Sequence, residues 1–336
     1  MHNHRSPLED SGGHLLNVIK PAKLTKGATI GIVSPSSFSE PFGLGQGVNY
    51  LRERGYKVVL GECTKNLTRS GFMAGEDEAR ARELMDMFAN KDVDAIFASR
   101  GGYGAMRVLP HLDFGVIKDN PKIFMGYSDI TTLHVTIHQR TGLVTFHGPS
   151  IEGYAGDNPE KDPPTGKPNI DRALDLLHRA EPWGKIENPP TGMLLRTLVP
   201  GSAKGTLFGG NLSMITHTLG TDDPIQTEGR ILFFEDVYVS EYDIERLLTH
   251  MHLAHKFDGV AGIVIGQFST FPKRDESQPT LEEVLRDRLG GMQDIPSFTG
   301  LCCGHGAMKL VMPEGVKASM DASSPTLSVD ESPLAD

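Results

Sequence analysis

Short apolar runs alternate with helical periodicities along the first half of the chain. Residues 28–33 read as a buried strand that ends in the turn-forming Ser34-Pro35-Ser36-Ser37. A helix over about 44–54 stops at Gly55, and a second strand follows at 56–60, the start of a βαβ unit. Residues 76–90 are strongly helical, with Ala79, Leu84, Met87 and Phe88 as apolar positions. The next strand, 94–98, runs into Arg100-Gly101-Gly102-Tyr103-Gly104. After a further helix, a strand at 122–125 delivers Gly126-Tyr127-Ser128-Asp129-Ile130 and a helix-like stretch to 139. A strand at 143–146 then leads into His147-Gly148-Pro149. This alternation predicts an α/β fold on a parallel sheet, where ligands bind in the loops at the carboxyl ends of the strands.

The pattern changes between about 155 and 203. Proline pairs and acidic turns surround one short helix near 171–179, so this stretch reads as a connector rather than core. A second unit begins with Gly205-Thr206-Leu207-Phe208-Gly209-Gly210-Asn211. It continues through strands at 230–234 and 262–265 and helices near 241–252 and 281–289. The expected organisation is a mobile tail (1–17), an N-terminal domain (18–154), the connector (155–203) and a C-terminal domain (204–330). Near the end, Leu327 and Val329 supply an apolar beat that could close a strand.

Size and composition narrow the function classes. The 336 residues suit two domains, and 38 glycines with 22 prolines favour α/β over a helical bundle. A formal net charge of −10 with no basic stripe argues against nucleic acid or an anionic membrane as the main partner. No run approaches the length of a membrane span. The three cysteines, Cys63, Cys302 and Cys303, form no disulfide framework, which points to a reducing, cytoplasmic setting.

Ser128 stands at a strand-to-helix turn, which exposes Oγ at the carboxyl edge of a sheet close to the first helix amides. Serine is also a common helix N-cap, and Ile130 occupies the place of the second glycine in a G-x-S-x-G elbow, so the turn alone fits both roles. A nucleophilic serine needs a base and an orienting carboxylate. Among thirteen histidines, His305 is best placed, between Gly304 and Gly306 before the alternating 309–312 segment. Glu235 follows the apolar Ile231-Leu232-Phe233-Phe234, at what reads as a strand end, with Asp236 as its rival. The Arg100–Gly104 loop could offer backbone amides to an oxyanion or a phosphate. Neither G-x-G-x-x-G at the first strand nor a Walker lysine motif is present, which weakens a nucleotide-binding reading. Adjacent Cys302 and Cys303 rarely both face one ion, and no second pair completes a zinc site. His134 reads as a helix residue, whereas His147, ending a strand, could line a site.

Taken in order, Ile32-Val33-Ser34-Pro35-Ser36, the Arg100–Gly104 loop, Gly126-Tyr127-Ser128-Asp129, Phe208-Gly209-Gly210-Asn211, Phe233-Phe234-Glu235-Asp236 and Gly304-His305 resemble the LD-carboxypeptidase family of serine peptidases, over about residues 19–329. The resemblance implies a flavodoxin-like N-terminal domain, a smaller β-rich, barrel-like C-terminal domain and a homodimer. It implies Ser128 as nucleophile, Glu235 as orienter and His305 as general base and acid. The oxyanion donors would be the amide of Asp129 and that of Gly101 or Gly102, and no cofactor or metal is expected. Arg100, Tyr103, Asn211 and Trp183 are candidate substrate-binding residues.

One branch of the family, acting in peptidoglycan recycling, cuts the L-to-D bond before the terminal D-alanine of murein tetrapeptides. Another, the microcin C self-immunity proteins, cleaves peptidyl or aminoacyl adenylates. The intact Arg100–Gly104 loop is similar to the first. Trp183 in the connector and the Cys302-Cys303 pair are similar to the second. A non-catalytic module binding small peptides or nucleotides is the competing class, and the complete Ser, Glu and His set argues against it.

Overall fold

The structure is a computed structural model that describes residues 17–152, 169–190, 192–270, 277–292 and 294–336. Residues 1–16 of the expected tail, the last two of the expected N-terminal domain (153–154) and 155–168 of the expected connector lie outside the described residues.

Five parallel strands follow the predicted runs: β1 (Thr29–Val33), β2 (Lys57–Leu60), β3 (Ala95–Ala98), β4 (Ile123–Gly126) and β5 (Thr145–His147). Their spatial order is β5-β4-β3-β1-β2, with Met312–Glu314 added antiparallel outside β5. β3 and β4 are buried at every position, as expected of parallel strands covered on both faces. Chain order reverses between β1 and β3, the switch point beside which loops open a crevice in such sheets.

The helix Thr131–Thr141 is no ordinary surface helix, since nine of its eleven residues are buried. One end meets the C-terminal unit where Thr131 Oγ1 accepts from the amide of Asn211 at 3.0 Å. At the other end Gln139 accepts from the amide of Gln226 at 2.7 Å, and Arg140 pairs with Asp223. The helix that follows Ser128 therefore also seats the second domain, which explains why its sequence lacks an outward polar stripe.

The second sheet is mixed. Its strands are β6 (Gly184–Ile186), β7 (Arg196–Val199), β8 (Ser202–Asn211), β9 (Arg230–Val239), β10 (Gly262–Thr270), β11 (Ser297–Thr299), β13 (Val316–Asp321) and β14 (Thr326–Val329). The Met312–Glu314 strand of the first sheet is β12. The order is β6-β14-β13-β8-β9-β10-β11-β7, parallel from β8 to β11 and antiparallel elsewhere.

Two features depart from the sequence reading. The later connector is not outside the core: β6 pairs with β14 and β7 with β11, and Trp183 is buried against Phe146 at 5.9 Å between ring centroids. The C-terminal chain also crosses back, as β12 completes the first sheet. One apolar core consequently runs through both domains, joining Phe146, Trp183, Phe233 and Phe298. Among the described residues, no helix is long and apolar enough to cross a membrane.

Candidate active site

Four loops meet at the carboxyl edge of the first sheet. Asp129 ties them: its buried carboxylate accepts from Ser36 Oγ after β1 and from the amide of Ala105 after β3. Burial pushes the Asp129 carboxyl upward, and these two hydrogen bonds oppose that shift. Arg80, fully buried, donates to the carbonyls of Pro35 and Gly104, fastening the β1 and β3 loops from beneath. The β5 loop joins them through Glu152, whose amide donates to Ser99 O at 2.8 Å.

Ser128 is held in a left-handed backbone conformation, φ 65°, within a short turn of 3-10 helix, Ser128–Ile130. Such a conformation is uncommon outside glycine, and it projects the hydroxyl off the end of β4. Gly101 leaves room for it: a Cβ there would stand 2.8 Å from Ser128 Cβ and 3.2 Å from Oγ. The backbone of the β3 loop therefore lies directly against the serine.

The second domain brings His305 and Glu235. β9 runs through to Val239, so Glu235 sits inside the strand rather than at the end expected for it. Pairing to β8 finishes at Asn211 opposite Glu235, and pairing to β10 shifts register between Ile265 and Phe268. The loop after β11 occupies the place opened by that shift. Gln267 donates its amide to Cys303 O at 3.0 Å and accepts from the amide of Gly306 at 3.0 Å. Asn188, from the expected connector, holds the same loop through the amide of Cys302 at 2.8 Å. His305 Nδ1 is thereby set 2.6 Å from Glu235 Oε2, and its ring lies 4.8 Å from that of Tyr127.

A cavity of about 400 Å³ is lined by Arg100, Gly101, Gly102, Tyr127, Ser128, Ser150, Glu152, Val237, Tyr238 and His305. Arg100 and Glu152 form an ion pair at 3.2 Å on its wall, and burial raises the Glu152 carboxyl while Arg100 opposes the rise. A serine, an imidazole with its Nδ1 fixed by a carboxylate, and a glycine backbone in one cleft can carry out acyl transfer.

The structure therefore brings Ser128, His305, Gly101, Gly102 and Arg100 to one cleft, with Glu235 directly behind His305. Three candidate substrate-binding residues lie elsewhere. Tyr103 is exposed, packed edge-on to Phe72 and not among the lining residues. Asn211 is buried, caps the helix Leu212–His217 and donates to Asp236 Oδ1 at 2.9 Å. Trp183 is in the core, its indole N–H reaching Arg179 O at 3.3 Å. Asp236, the rival of Glu235, accepts from Asn211, from the amide and hydroxyl of Ser213 and from the amide of Val237, which occupies it structurally.

Ser150, Glu152, Val237 and Tyr238 escaped the sequence reading. Glu152 follows the turn after β5, and the strand-end rule used for Ser128 points to that turn as well. Cys302 and Cys303 are buried, and burial pushes both thiols up. Among the described residues, no three His, Cys, Asp or Glu side chains are grouped so as to hold a metal ion.

Comparison with known proteins agrees with this architecture. The LD-carboxypeptidase N-terminal domain profile matches residues 30–148, and the C-terminal domain profile matches residues 204–320. The chain belongs to the LD-carboxypeptidase family. Family membership makes it a carboxypeptidase of the serine type by assignment. The "Probable murein peptide carboxypeptidase" of Bacillus subtilis (strain 168) is 38% identical over 312 residues, covering 93% of this chain and 94% of that one. The solved structure of the microcin C7 self-immunity protein MccF in complex with aspartyl sulfamoyl adenosine superposes with a TM-score of 0.85 at 29% identity, covering 94% of this chain and all (100%) of the other. That of muramoyltetrapeptide carboxypeptidase from Oxalobacter formigenes gives 0.73 at 27% identity, covering 90% and 97%.

Proposed function

We propose that this LD-carboxypeptidase family member cleaves the L-to-D peptide bond before the terminal D-alanine of muropeptide tetrapeptides, through an acyl-enzyme on Ser128. The observation that carries the reading is the 2.6 Å hydrogen bond between His305 and Glu235 at a cavity that also exposes Ser128 and Arg100. With Nδ1 engaged by Glu235, the imidazole works through Nε2. It takes the Ser128 proton as Oγ attacks the carbonyl carbon, then gives that proton to the departing D-alanine nitrogen. Water, deprotonated by His305 Nε2, next attacks the acyl carbon, and the proton passes to Ser128 Oγ as the bond to the tripeptide breaks. The amides of Asp129 and Gly101 stabilise the oxyanion at both stages, each such donor contributing about 3–4 kcal/mol in comparable enzymes.

Arg100 is the guanidinium on the cavity wall, and it suits the free carboxylate that defines a carboxypeptidase substrate. Glu152 holds it in place from the β5 loop. The 38% likeness to a murein peptide carboxypeptidase supports the same substrate class.

A second reading, hydrolysis of aminoacyl adenylates by the same three residues, is favoured by the likeness to MccF bound to an aminoacyl sulfamoyl adenosine. It ranks below the first because the indole of Trp183 is committed to the core and leaves no tryptophan in the cavity to stack on a base. Incubating the protein with LD-tetrapeptides and aminoacyl-sulfamoyl adenosines, with products read by mass spectrometry, tests both. D-alanine release from the tetrapeptide alone is expected, and cleavage of the adenosine compounds alone would reverse the ranking.

A further inference from the structure

His147 is the last residue of β5 and is almost completely buried. Its backbone is fixed on both sides, opposite Gly126 of β4 and Met312 of β12, so the ring has little freedom of position. The ring packs edge-on against Tyr127 and Phe233, and neither of its nitrogens has a hydrogen-bond partner among the described residues. A buried imidazole left unpaired costs about 1–3 kcal/mol, which an apolar side chain in the same place would not incur. Burial drives its protonation far below the ordinary value of 6.5, with His134 and His305 adding to the effect, so the ring is neutral and carries one N–H.

The carboxylate of Glu235 stands beside it. Oε2 of Glu235 is taken by His305, whereas Oε1 has Asn211 Nδ2 at 3.4 Å and His147 Nε2 at 3.8 Å. Asn211 Nδ2 makes its shorter bond, 2.9 Å, to Asp236, so Oε1 keeps accepting capacity directed at His147.

We propose that His147 is a positioning residue for Glu235: its Nε2–H serves Oε1 of the carboxylate from the N-terminal sheet while Oε2 orients His305. At 3.8 Å the contact is longer than a hydrogen bond, and the N–H acts on Oε1 in the empty cleft as a dipole facing a charge. A neutral donor suits this place, because it steadies the carboxylate without cancelling the charge that His305 needs when it becomes an imidazolium. The contact also crosses between domains, so the alignment of the triad depends on β5 and β9 being docked. The inference rests on the reading of Ser128, Glu235 and His305 as a triad.

The test combines kinetics with proton and nitrogen NMR. In the unmutated protein labelled with 15N-histidine, His147 is expected as the Nε2–H tautomer; a bare Nε2 facing Glu235 would overturn the proposal. His147→Phe keeps a ring of similar size without the N–H. It is expected to lower kcat on the tetrapeptide roughly 10- to 100-fold with KM within about twofold, the cost of a misplaced catalytic group. The low-field proton resonance of the His305–Glu235 hydrogen bond should shift or broaden in the same variant, and His147→Gln, which restores an N–H, should recover most of both. A folded His147→Phe with normal kcat and resonance contradicts the proposal, and so do Phe and Gln variants equally impaired with the wild-type resonance. The resonance and the tautomer need no substrate. Loss of tetrapeptide turnover in the wild type would therefore remove the substrate reading and leave the positioning role to be judged by NMR.

Discussion

Gly304 and Glu235 are packed so closely that a Cβ on the glycine would stand 2.4 Å from Oε2 of the carboxylate. The same Oε2 accepts from His305, the next residue along. Gly304 also has φ 107°, a conformation that L side chains rarely adopt. A glycine before the histidine is thus what lets the loop bring the imidazole onto the carboxylate. Gly304→Ala should push Glu235 and His305 apart, lowering kcat by roughly a hundredfold or more, as displacement of about an ångström does. Unfolding followed by circular dichroism should show a loss of only about 1–3 kcal/mol, the usual cost of one strained residue. Full activity in Gly304→Ala would mean that the 2.6 Å bond is not needed.

Ser128 carries its own strain, and two substitutions separate strain from chemistry. Both Ser128→Ala and Ser128→Gly should lose at least roughly a thousandfold in kcat, by analogy with deletions of a triad member. Alanine keeps a Cβ at φ 65° and should leave stability near that of the wild type. Glycine relieves the left-handed penalty and should raise stability by about 1 kcal/mol. Equal melting temperatures for the two variants would show that the turn is not strained.

Much of the first domain is legible in the sequence, and the reason is local. The runs that became β1, β3 and β4 are buried on both faces and bounded by turn residues, so strand and loop could be told apart without knowledge of their neighbours. Ser128 and the Arg100–Gly104 loop followed from the rule that strand ends carry ligands, and Glu235 and His305 from motif order together with the requirement for a carboxylate and a base. What could not be read depends on partners distant in the chain. β12 is a strand because β5 offers it an edge, and β6 and β7 because β14 and β11 do. Trp183 looks like a loop aromatic until Phe146 is found beside it. Asn211 and Asp236 sit in motifs of the site yet serve each other and Ser213, a structural use of polar residues that sequence order does not distinguish from substrate contact.

Trp183→Ala should act on the fold and leave catalysis unchanged. Removing a core indole typically costs about 3–5 kcal/mol, read as a lower urea midpoint with an unchanged slope. KM for the tetrapeptide should stay within about twofold, in keeping with a side chain that does not line the cavity. A selective rise in KM for aminoacyl-sulfamoyl adenosine, with stability unchanged, would move Trp183 from core to binding site.

Buried histidines make a further prediction about pH. Burial holds His134 down to about 4 and His138 down to about 3, against an ordinary 6.5. Between 6.5 and those values the unfolded chain binds protons that the folded chain does not. The stability linked to each histidine is therefore complete above 6.5 and is lost as pH falls toward its folded value. Burial raises the carboxyls of Glu83, Asp129 and Glu314, which act in the opposite sense, so a variant comparison isolates the histidine. From pH 7 to pH 5, His134→Gln should change by about 2 kcal/mol less in the destabilising direction than the wild type, as linkage requires for one such group. Parallel stability curves would show that His134 takes up its proton in the fold as readily as in the unfolded chain.

The most direct test of Ser128 as an acylated nucleophile is intact-protein mass spectrometry on samples acid-quenched within milliseconds of mixing with LD-tetrapeptide. The wild type should carry an adduct equal to the tetrapeptide less D-alanine, mapped after digestion to the segment containing Ser128, and Ser128→Ala should carry none. An adduct on another residue, or brisk D-alanine release by a folded Ser128→Ala, would contradict the mechanism.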